Sequence, residues 1–410
     1  MTFFALARPT HTGGTHAGFI VCGLMPINRS HPLWSPVLSV LLVLGVLAAA
    51  QDKPAQTPPP QPPAPIVSPE VHTDGSVTFR FRDPNAAEVK IGLGGADLVP
   101  MRKDDQGIWS ITTPPLPPDY YIYTLVADGV DLLDPSNHDP VPNLVYLGNV
   151  VHVPGPLSLP WELNDIPHGE IHHHFYRSAV AGDDRDYYVY TPPDYDPAAK
   201  RSYPVLYLLH GYSDDARAWT VVGHVNVILD NLIAQNKAKP MIVVMPLGYG
   251  TMEFVERRDA WSDTALVDTN FKKFSQALLT EVVPRVESEY RITKDRSSRA
   301  IAGYSMGGWE SLLTGLNDLD KFSWIGAFSS GGIPDDFQKD FPALDAKANQ
   351  QVRLLWIACG TEDRLIKVNR DLREWLKNKG VKVTEIETPG MHTWMVWRRN
   401  LAEFVPLLFR

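Results

Sequence analysis

Between residues 71 and 156 apolar positions alternate with polar ones. Val77, Phe79 and Phe81 flank Thr78 and Arg80, Val89 and Ile91 flank Lys90, and residues 121–125 repeat the alternation. A period of two is that of a half-buried strand, whose successive side chains point to opposite faces. Turn-forming clusters separate the runs at Asp83-Pro84-Asn85, at residues 104–107 and at Asp128-Gly129. Short strands with regular turns predict a small β-sandwich over residues 66–156.

From about residue 157 the pattern changes. Residues 204–209 and 241–245 are continuous apolar runs, as strands covered on both faces require. Further strands are expected at 299–302, 324–328, 352–357 and 381–388. Helical spacing appears at 225–235, 271–286 and 368–379, the last closed by Gly380. Strands alternating with helices predict an α/β fold, a mostly parallel sheet with helices on both faces, over residues 157–410.

The first 65 residues carry neither pattern. Residues 37–50 form an apolar stretch too short for a comfortable membrane span. Arg29 and His31 precede it and Ala48-Ala49-Ala50 ends it, the layout of a cleavable signal peptide, with Met25 a second candidate start. An uncleaved anchor is the competing reading. Residues 51–65 are Pro-rich and predict an extended tether. The expectation is an exported protein, periplasmic or extracellular, with no stable membrane association after cleavage.

Composition narrows the partners. Of 410 residues 44% are hydrophobic and 21% charged, ordinary for a globular chain, and the net charge is -9. No basic cluster is present, so nucleic-acid binding is not expected. The two cysteines are Cys22, in the leader, and Cys359, which ends an apolar run and reads as a buried small hydrophobe. That count excludes a cysteine metal site. His172-His173-His174 point to alternating faces of a strand and do not converge on a metal. No metal or cofactor is expected.

The chemistry concentrates at Gly303-Tyr304-Ser305-Met306-Gly307, which follows a predicted strand and opens a helical stretch. In that context G-x-S-x-G is a sharp turn exposing a nucleophilic serine, the hallmark of α/β-hydrolases. Small residues on either side let strand and helix approach closely. The Met306 amide falls at a helix N-terminus, where unpaired N–H groups attract an oxyanion. A serine hydroxyl needs a base. One histidine lies downstream, His392, in the loop after the last predicted strand. His210 is an alternative base, though its strand-end position suits loop shaping better. For the acid, Asp363 is preferred over Glu362, Asp335 and Asp336 because it lies at a strand's carboxyl end. The second oxyanion amide is assigned to Tyr212, in the loop after residues 204–209. Trp394, Trp219 and Trp261 fall near the same edge and are candidates for lining a substrate pocket, with core packing as the alternative. Trp109 is a candidate for stacking on a sugar, again against a core role.

Residues 190–195 (YTPPDY), 203–211 (YPVLYLLHG), 303–308 (GYSMGG), 359–363 (CGTED) and 390–394 (GMHTW) together resemble the esterase D family. That family includes feruloyl esterases, enterochelin esterases and S-formylglutathione hydrolases. The resemblance spans nearly all of residues 165–410 and implies Ser305, Asp363 and His392 as the triad, with Tyr212 and Met306 as oxyanion donors. Residues 121–129 followed by 134–137 resemble the carbohydrate-binding-module-48-like early-set domains that precede glycan-active enzymes. The implied activity is hydrolysis of feruloyl or acetyl esters on plant cell-wall polysaccharide, the partner being an ester-substituted glycan or aromatic ester. A siderophore esterase is the second expectation. A glycan-binding protein with an inactive esterase domain is the third.

Overall fold

The computed structural model describes residues 64–334 and 336–410. The leader at 1–50, nearly all of the tether at 51–65, and Asp335 lie outside the described residues.

The amino-terminal strands are β1 (Glu70–Val71), β2 (Val77–Arg82), β3 (Val89–Leu93), β4 (Val99–Pro100), β5 (Arg102–Lys103), β6 (Ile108–Thr112), β7 (Asp119–Ala127), β8 (Val130–Leu132) and β9 (Asn149–Val153). They form two antiparallel sheets, ordered β1-β2-β6-β5 and β4-β3-β7-β8, with β9 also on β7. The alternation seen in the sequence decides which residues meet. Val77, Phe79 and Phe81 from one sheet share a buried cluster with Ile91, Tyr123, Leu125 and Val151 from the other. The rings of Phe79 and Tyr123 stand 4.7 Å apart across it.

The second part is built on β10 (Glu170–Arg177), β11 (Asp184–Thr191), β12 (Val205–Leu209), β13 (Ile242–Pro246), β14 (Arg299–Tyr304), β15 (Trp324–Phe328), β16 (Leu354–Gly360) and β17 (Thr384–Thr388). Their order is β10-β11-β13-β12-β14-β15-β16-β17. From β13 to β17 every pairing is parallel, whereas β10 and β11 run antiparallel at one edge. Strands β12 to β15 are buried along their whole length, which explains their apolar sequences, broken only by Arg299 at the start of β14. The sequence places residues 172–174 in a strand but gives no sign of the antiparallel pair that this strand forms with β11. Strand β10 keeps one face open to solvent and reads EIHHHFYR, with three consecutive histidines and charged ends, so its apolar signal is weak.

Helices cover both faces. Thr264–Ala277, Met306–Asn317 and Ile366–Asn378 pack on one side, Val225–Ala234 and Trp394–Phe404 on the other. The helix expected at 271–286 starts earlier, where Asp263 accepts the Leu266 amide and caps it. It then passes through a π turn, Leu278–Val282, just before Pro284. Proline has no N–H for the regular ladder, and a widened turn accommodates the loss.

The two parts pack into one compact unit. The joint is the helix Trp394–Phe404. Its Val396, Trp397, Leu401 and Phe404 join the core beneath the large sheet. Its Arg398, fully buried, donates to Asp119 and to the Tyr120 carbonyl of β7. Among the described residues no helix is long and apolar enough to cross a membrane.

Candidate active site

Ser305 stands between β14 and the helix Met306–Asn317 with φ 53° and ψ −120°. Positive φ is costly for a residue with a Cβ and persists only where the surroundings impose it. Here the Ser305 amide donates to the Phe328 carbonyl, and its own carbonyl accepts from Gly308, Trp309 and Gly331. The flanking glycines are sterically required. A Cβ on Gly303 would lie 2.5 Å from the Gly307 oxygen, and one on Gly307 2.5 Å from the His210 oxygen.

His392 follows β17, and Asp363 follows β16. Parallel pairing of these strands brings their exits together. Thr361 N–H donates to the Thr388 carbonyl at 2.9 Å and Glu362 N–H to the Gly390 carbonyl at 3.1 Å. A Cβ on Gly360 would stand 2.3 Å from the Gly390 oxygen, so only glycine permits this approach. The outcome is a relay. His392 Nδ1 lies 2.8 Å from Asp363 Oδ2, and His392 Nε2 lies 3.0 Å from Ser305 Oγ. A carboxylate at Nδ1 keeps that nitrogen protonated and leaves Nε2 as the acceptor facing the serine. The Asp363 side chain is fully buried and that of His392 is 17% exposed. Burial alone would raise the Asp363 pKa; the hydrogen bond and charge of His392 and the Leu365 amide outweigh it and hold the carboxyl below its ordinary value.

The alternative acids lie elsewhere. Glu362 is exposed and accepts from its neighbour Thr361, and Asp336 caps the short helix Phe337–Asp340. His210 is not free to act as base: Nδ1 donates to the Gly211 carbonyl and Nε2 accepts the Gly248 amide. Burial pushes its pKa down. Tyr212 and Met306 flank the serine from two sides. Gly211 is so close that a Cβ there would touch Ser305 Cβ at 3.1 Å.

Ser305 and His392 open into a cavity of about 320 Å³. Its walls include Tyr212, Tyr304, Trp394 and Trp397, and across from them Tyr120, Tyr121, Ile122, Asn143 and Tyr146 from the amino-terminal part. Trp394 therefore lines the cavity, 5% exposed. Trp219 does not. It is 1% exposed, donates Nε1 to the Leu209 carbonyl and packs edge-on against Trp394 from behind. Trp261, 38% exposed, lies edge-on to Tyr212 outside this cavity's lining. The sugar-stacking candidate Trp109 is a core residue: it is 7% exposed, its Nε1 donates to the Asp83 carbonyl and Lys103 covers one ring face. A ring sealed in this way offers no face to a sugar.

Cys359 is buried, and burial pushes its thiol up to about 12. Each histidine of the 172–174 run has its own neighbours. His173 pairs with Asp186, while His174 meets Tyr290 and Glu289.

The sequence allowed that the amino-terminal part packs over the active site, but it did not single out Asn143 and Tyr146 from that part or Asp214 from the loop after β12. The available signal was the apolar run at residues 144–147, which has no strand partner and stays exposed.

A strained serine, an imidazole and a carboxylate in relay at the carboxyl edge of a mostly parallel sheet form the arrangement of the serine hydrolases. The profile of the esterase family, described as "Putative esterase", matches residues 178–408. The chain belongs to this family and so to the carboxylesterase enzymes. It is 32% identical over 357 residues to the endo-1,4-beta-xylanase/feruloyl esterase of Xylanibacter ruminicola, covering 83% of this chain and 46% of that protein. It thus spans about half the length of that relative. It is 27% identical over 232 residues to an acetyl esterase of Caldicellulosiruptor saccharolyticus, 48% of this chain and 80% of that one. Among solved structures it resembles the ferulic acid esterase of Anaeromyces mucronatus, with TM-score 0.54 and 24% identity over 62% of this chain and 96% of the other. It also resembles the enterobactin esterase of Shigella flexneri, with TM-score 0.60 and 18% identity over 81% and 92%. At these identities the structural likeness is one of fold.

Proposed function

We propose that this chain hydrolyses carboxylic esters through an acyl-serine, and that the acyl group is aromatic, of the feruloyl type, carried on plant cell-wall glycan. The observation that carries the reading is the Ser305–His392–Asp363 relay opening into an aromatic-walled cavity. Ser305 Oγ attacks the ester carbonyl while His392 Nε2 takes its proton. The oxyanion of the tetrahedral intermediate rests on the Met306 and Tyr212 amides. Collapse expels the alcohol, which leaves with the proton from His392. Water then attacks the acyl-serine with His392 again as base, releasing the acid. Asp363 orients the imidazole and stabilises its cation without taking the proton. No step calls on a metal or organic cofactor.

An acetyl group fills a small fraction of the cavity, whereas an aromatic acid matches its walls, as ligand sites lined by aromatic side chains with few polar groups do. The names of the relatives from Xylanibacter and Caldicellulosiruptor support feruloyl and acetyl esters respectively. A siderophore esterase is favoured less, because its anionic triscatecholate calls for basic walls and Arg364 is the basic side chain lining this cavity among the described residues. The amino-terminal strands act in this reading as an early-set-like sandwich that completes the cavity; with Trp109 buried, the glycan-binding alternative loses its candidate. Export rests on the leader pattern at residues 37–50.

The test is hydrolysis of methyl ferulate, p-nitrophenyl acetate, acetylated xylan and enterobactin by the protein and by Ser305→Ala. The expected result is methyl ferulate as the preferred substrate and loss of all hydrolysis in the variant. Unchanged hydrolysis by Ser305→Ala would refute the mechanism.

A further inference from the structure

The loop that carries Tyr212 is held in an unusual way. Ser213 has φ 73°, a left-handed conformation that a serine adopts only when constrained. The constraint comes largely from the amino-terminal part. Leu144 N–H donates to the Ser213 carbonyl at 2.7 Å, and Asn143 Nδ2 donates to Ser213 Oγ at 2.8 Å and to Asp214 Oδ1 at 2.7 Å. Asn143 is itself fixed, since its Oδ1 accepts the Val145 and Tyr146 amides. Asp214, 7% exposed, receives the Tyr304 hydroxyl on Oδ2, and its carbonyl receives the Tyr249 hydroxyl at 3.1 Å. Tyr304 immediately precedes Ser305 in the chain.

One carboxyl group thus joins three segments: the loop bearing the Tyr212 amide, the turn bearing Ser305 and the Met306 amide, and the amino-terminal strands. Asp214 also lines the cavity but touches neither His392 nor Asp363 among its hydrogen-bond partners. We propose that Asp214 is a positioning residue, through which Asn143 of the amino-terminal part sets the spacing between the two oxyanion-binding amides. The proposal rests on the reading of Ser305 as the acylated nucleophile. Its consequence is that the amino-terminal part belongs to the catalytic apparatus as well as to the substrate cavity.

The geometry predicts which substitutions matter. In Asp214→Asn one oxygen still accepts from Tyr304, which leaves the introduced amide nitrogen opposite Asn143 Nδ2, so two donors face each other at a buried site. In Asn143→Ala the carboxyl loses its partner and the Ser213 turn loses a restraint. The exchange Asn143→Asp with Asp214→Asn reverses the polarity of the contact. The amide introduced at position 214 donates to the carboxylate introduced at position 143, its oxygen still accepts from Tyr304, and the Ser213 hydroxyl turns to donate.

The experiment uses the full chain and an alkyl fluorophosphonate. The Ser305 oxygen bonds to phosphorus as His392 Nε2 takes its proton, fluoride departs, and the phosphoryl oxygen occupies the oxyanion site, so the labelling rate reads that site without reference to the natural substrate. Alongside it, kcat and KM are measured on methyl ferulate, and thermal melting verifies folding. Losing one oxyanion donor costs about 10²–10³-fold in kcat, so displacement of a retained donor is expected to lower labelling and kcat by roughly 10–100-fold in each single variant. KM should stay within about 3-fold in Asp214→Asn, where ground-state contacts persist; Asn143→Ala also frees the Tyr146 backbone and is read on kcat and labelling. The double exchange should restore most of the loss. Wild-type labelling and kcat in both single variants would overturn the proposal. So would a loss that the double exchange leaves unrepaired, since the pair would then act only in packing. Absence of Ser305 labelling in the unmodified protein would sink the nucleophile reading itself, a result distinguishable from either.

Discussion

Arg398 Nη2 lies 2.6 Å from Asp119 Oδ1, and neither side chain is exposed. Arg398 belongs to the helix that directly follows His392, and Asp119 opens β7 of the amino-terminal part. Arg398 Nε also donates to Asp119 Oδ1, Nη1 donates to the Val222 carbonyl and Nη2 to the Tyr120 carbonyl, and Arg399 adds a second cation 3.3 Å from Asp119. A buried pair of this kind fixes an arrangement more dependably than it adds stability, because both ions lose their water.

Removing one partner is a different matter from never having the pair. Arg398→Ala leaves Asp119 buried beside a single, partly exposed arginine, and is expected to cost roughly 3–5 kcal/mol of stability. Adding Asp119→Asn to Arg398→Met removes the stranded charge and should recover a substantial part of that loss. Urea unfolding of the two variants checks this. Equal losses in both would mean that the charge was not the cause.

Asp363→Asn keeps the shape of the acid but no longer selects the histidine tautomer. A fall in kcat of roughly 10⁴-fold is expected, with KM little changed. Glu362→Gln, one residue away and exposed, should behave as the unmodified protein. Steady-state kinetics on methyl ferulate with both variants gives the answer; a larger loss from Glu362→Gln would move the acid by one residue.

These residues were legible in the sequence because the fold forces them into recognisable places. Ser305 sits in a motif whose glycines have a steric reason, and His392 and Asp363 each follow a strand end that parallel pairing brings to the same edge. The core strands were legible for a related reason: burial on both faces leaves no polar position between 205 and 209. What stayed hidden is what depends on packing between distant segments. Nothing in the identity of Asn143 or Asp214 announces that residues 71 apart are hydrogen-bonded. Trp109 and Trp219 show the converse limit. Their sequence neighbourhoods allow either a core or an exposed aromatic, and the surrounding segments show that each is covered.

The stability of the protein should carry a signature of Asp214. Burial drives its pKa up to about 7, against the lowering effect of Tyr304 and Asn143, with Asp215 adding to the rise. The folded protein therefore holds a proton that the unfolded chain releases near pH 3.8. A raised carboxyl pKa stabilises the fold at low pH, and the contribution is lost as pH climbs from about 4 to about 7. A shift of this size corresponds to roughly 4 kcal/mol. The gap between the unfolding free energies of the unmodified protein and Asp214→Asn, measured by urea, should change by roughly 3 kcal/mol between pH 4.5 and 8, since the other titrating groups cancel. Parallel curves would show that Asp214 titrates normally.

Tyr146 should separate aromatic from small acyl substrates. It is 58% exposed, lines the cavity from the amino-terminal part, and its backbone is pinned by Asn143 Oδ1. An exposed ring over a cavity gains by covering another ring, and aromatic pairs contribute about 0.5–1.5 kcal/mol beyond the area they bury. An acetyl group offers no ring for it to cover. Tyr146→Ala is therefore expected to raise KM for methyl ferulate by roughly 3–10-fold and to leave p-nitrophenyl acetate within about 2-fold, with kcat preserved on both. Tyr146→Phe should retain most of the ferulate affinity, because the ring and not the hydroxyl makes the contact. If the two esters lose affinity equally, the ring acts on the shape of the loop and not on the acyl group. The aromatic reading of the cavity would then have to rest on its other rings, Tyr120, Tyr121, Tyr212, Tyr304, Trp394 and Trp397.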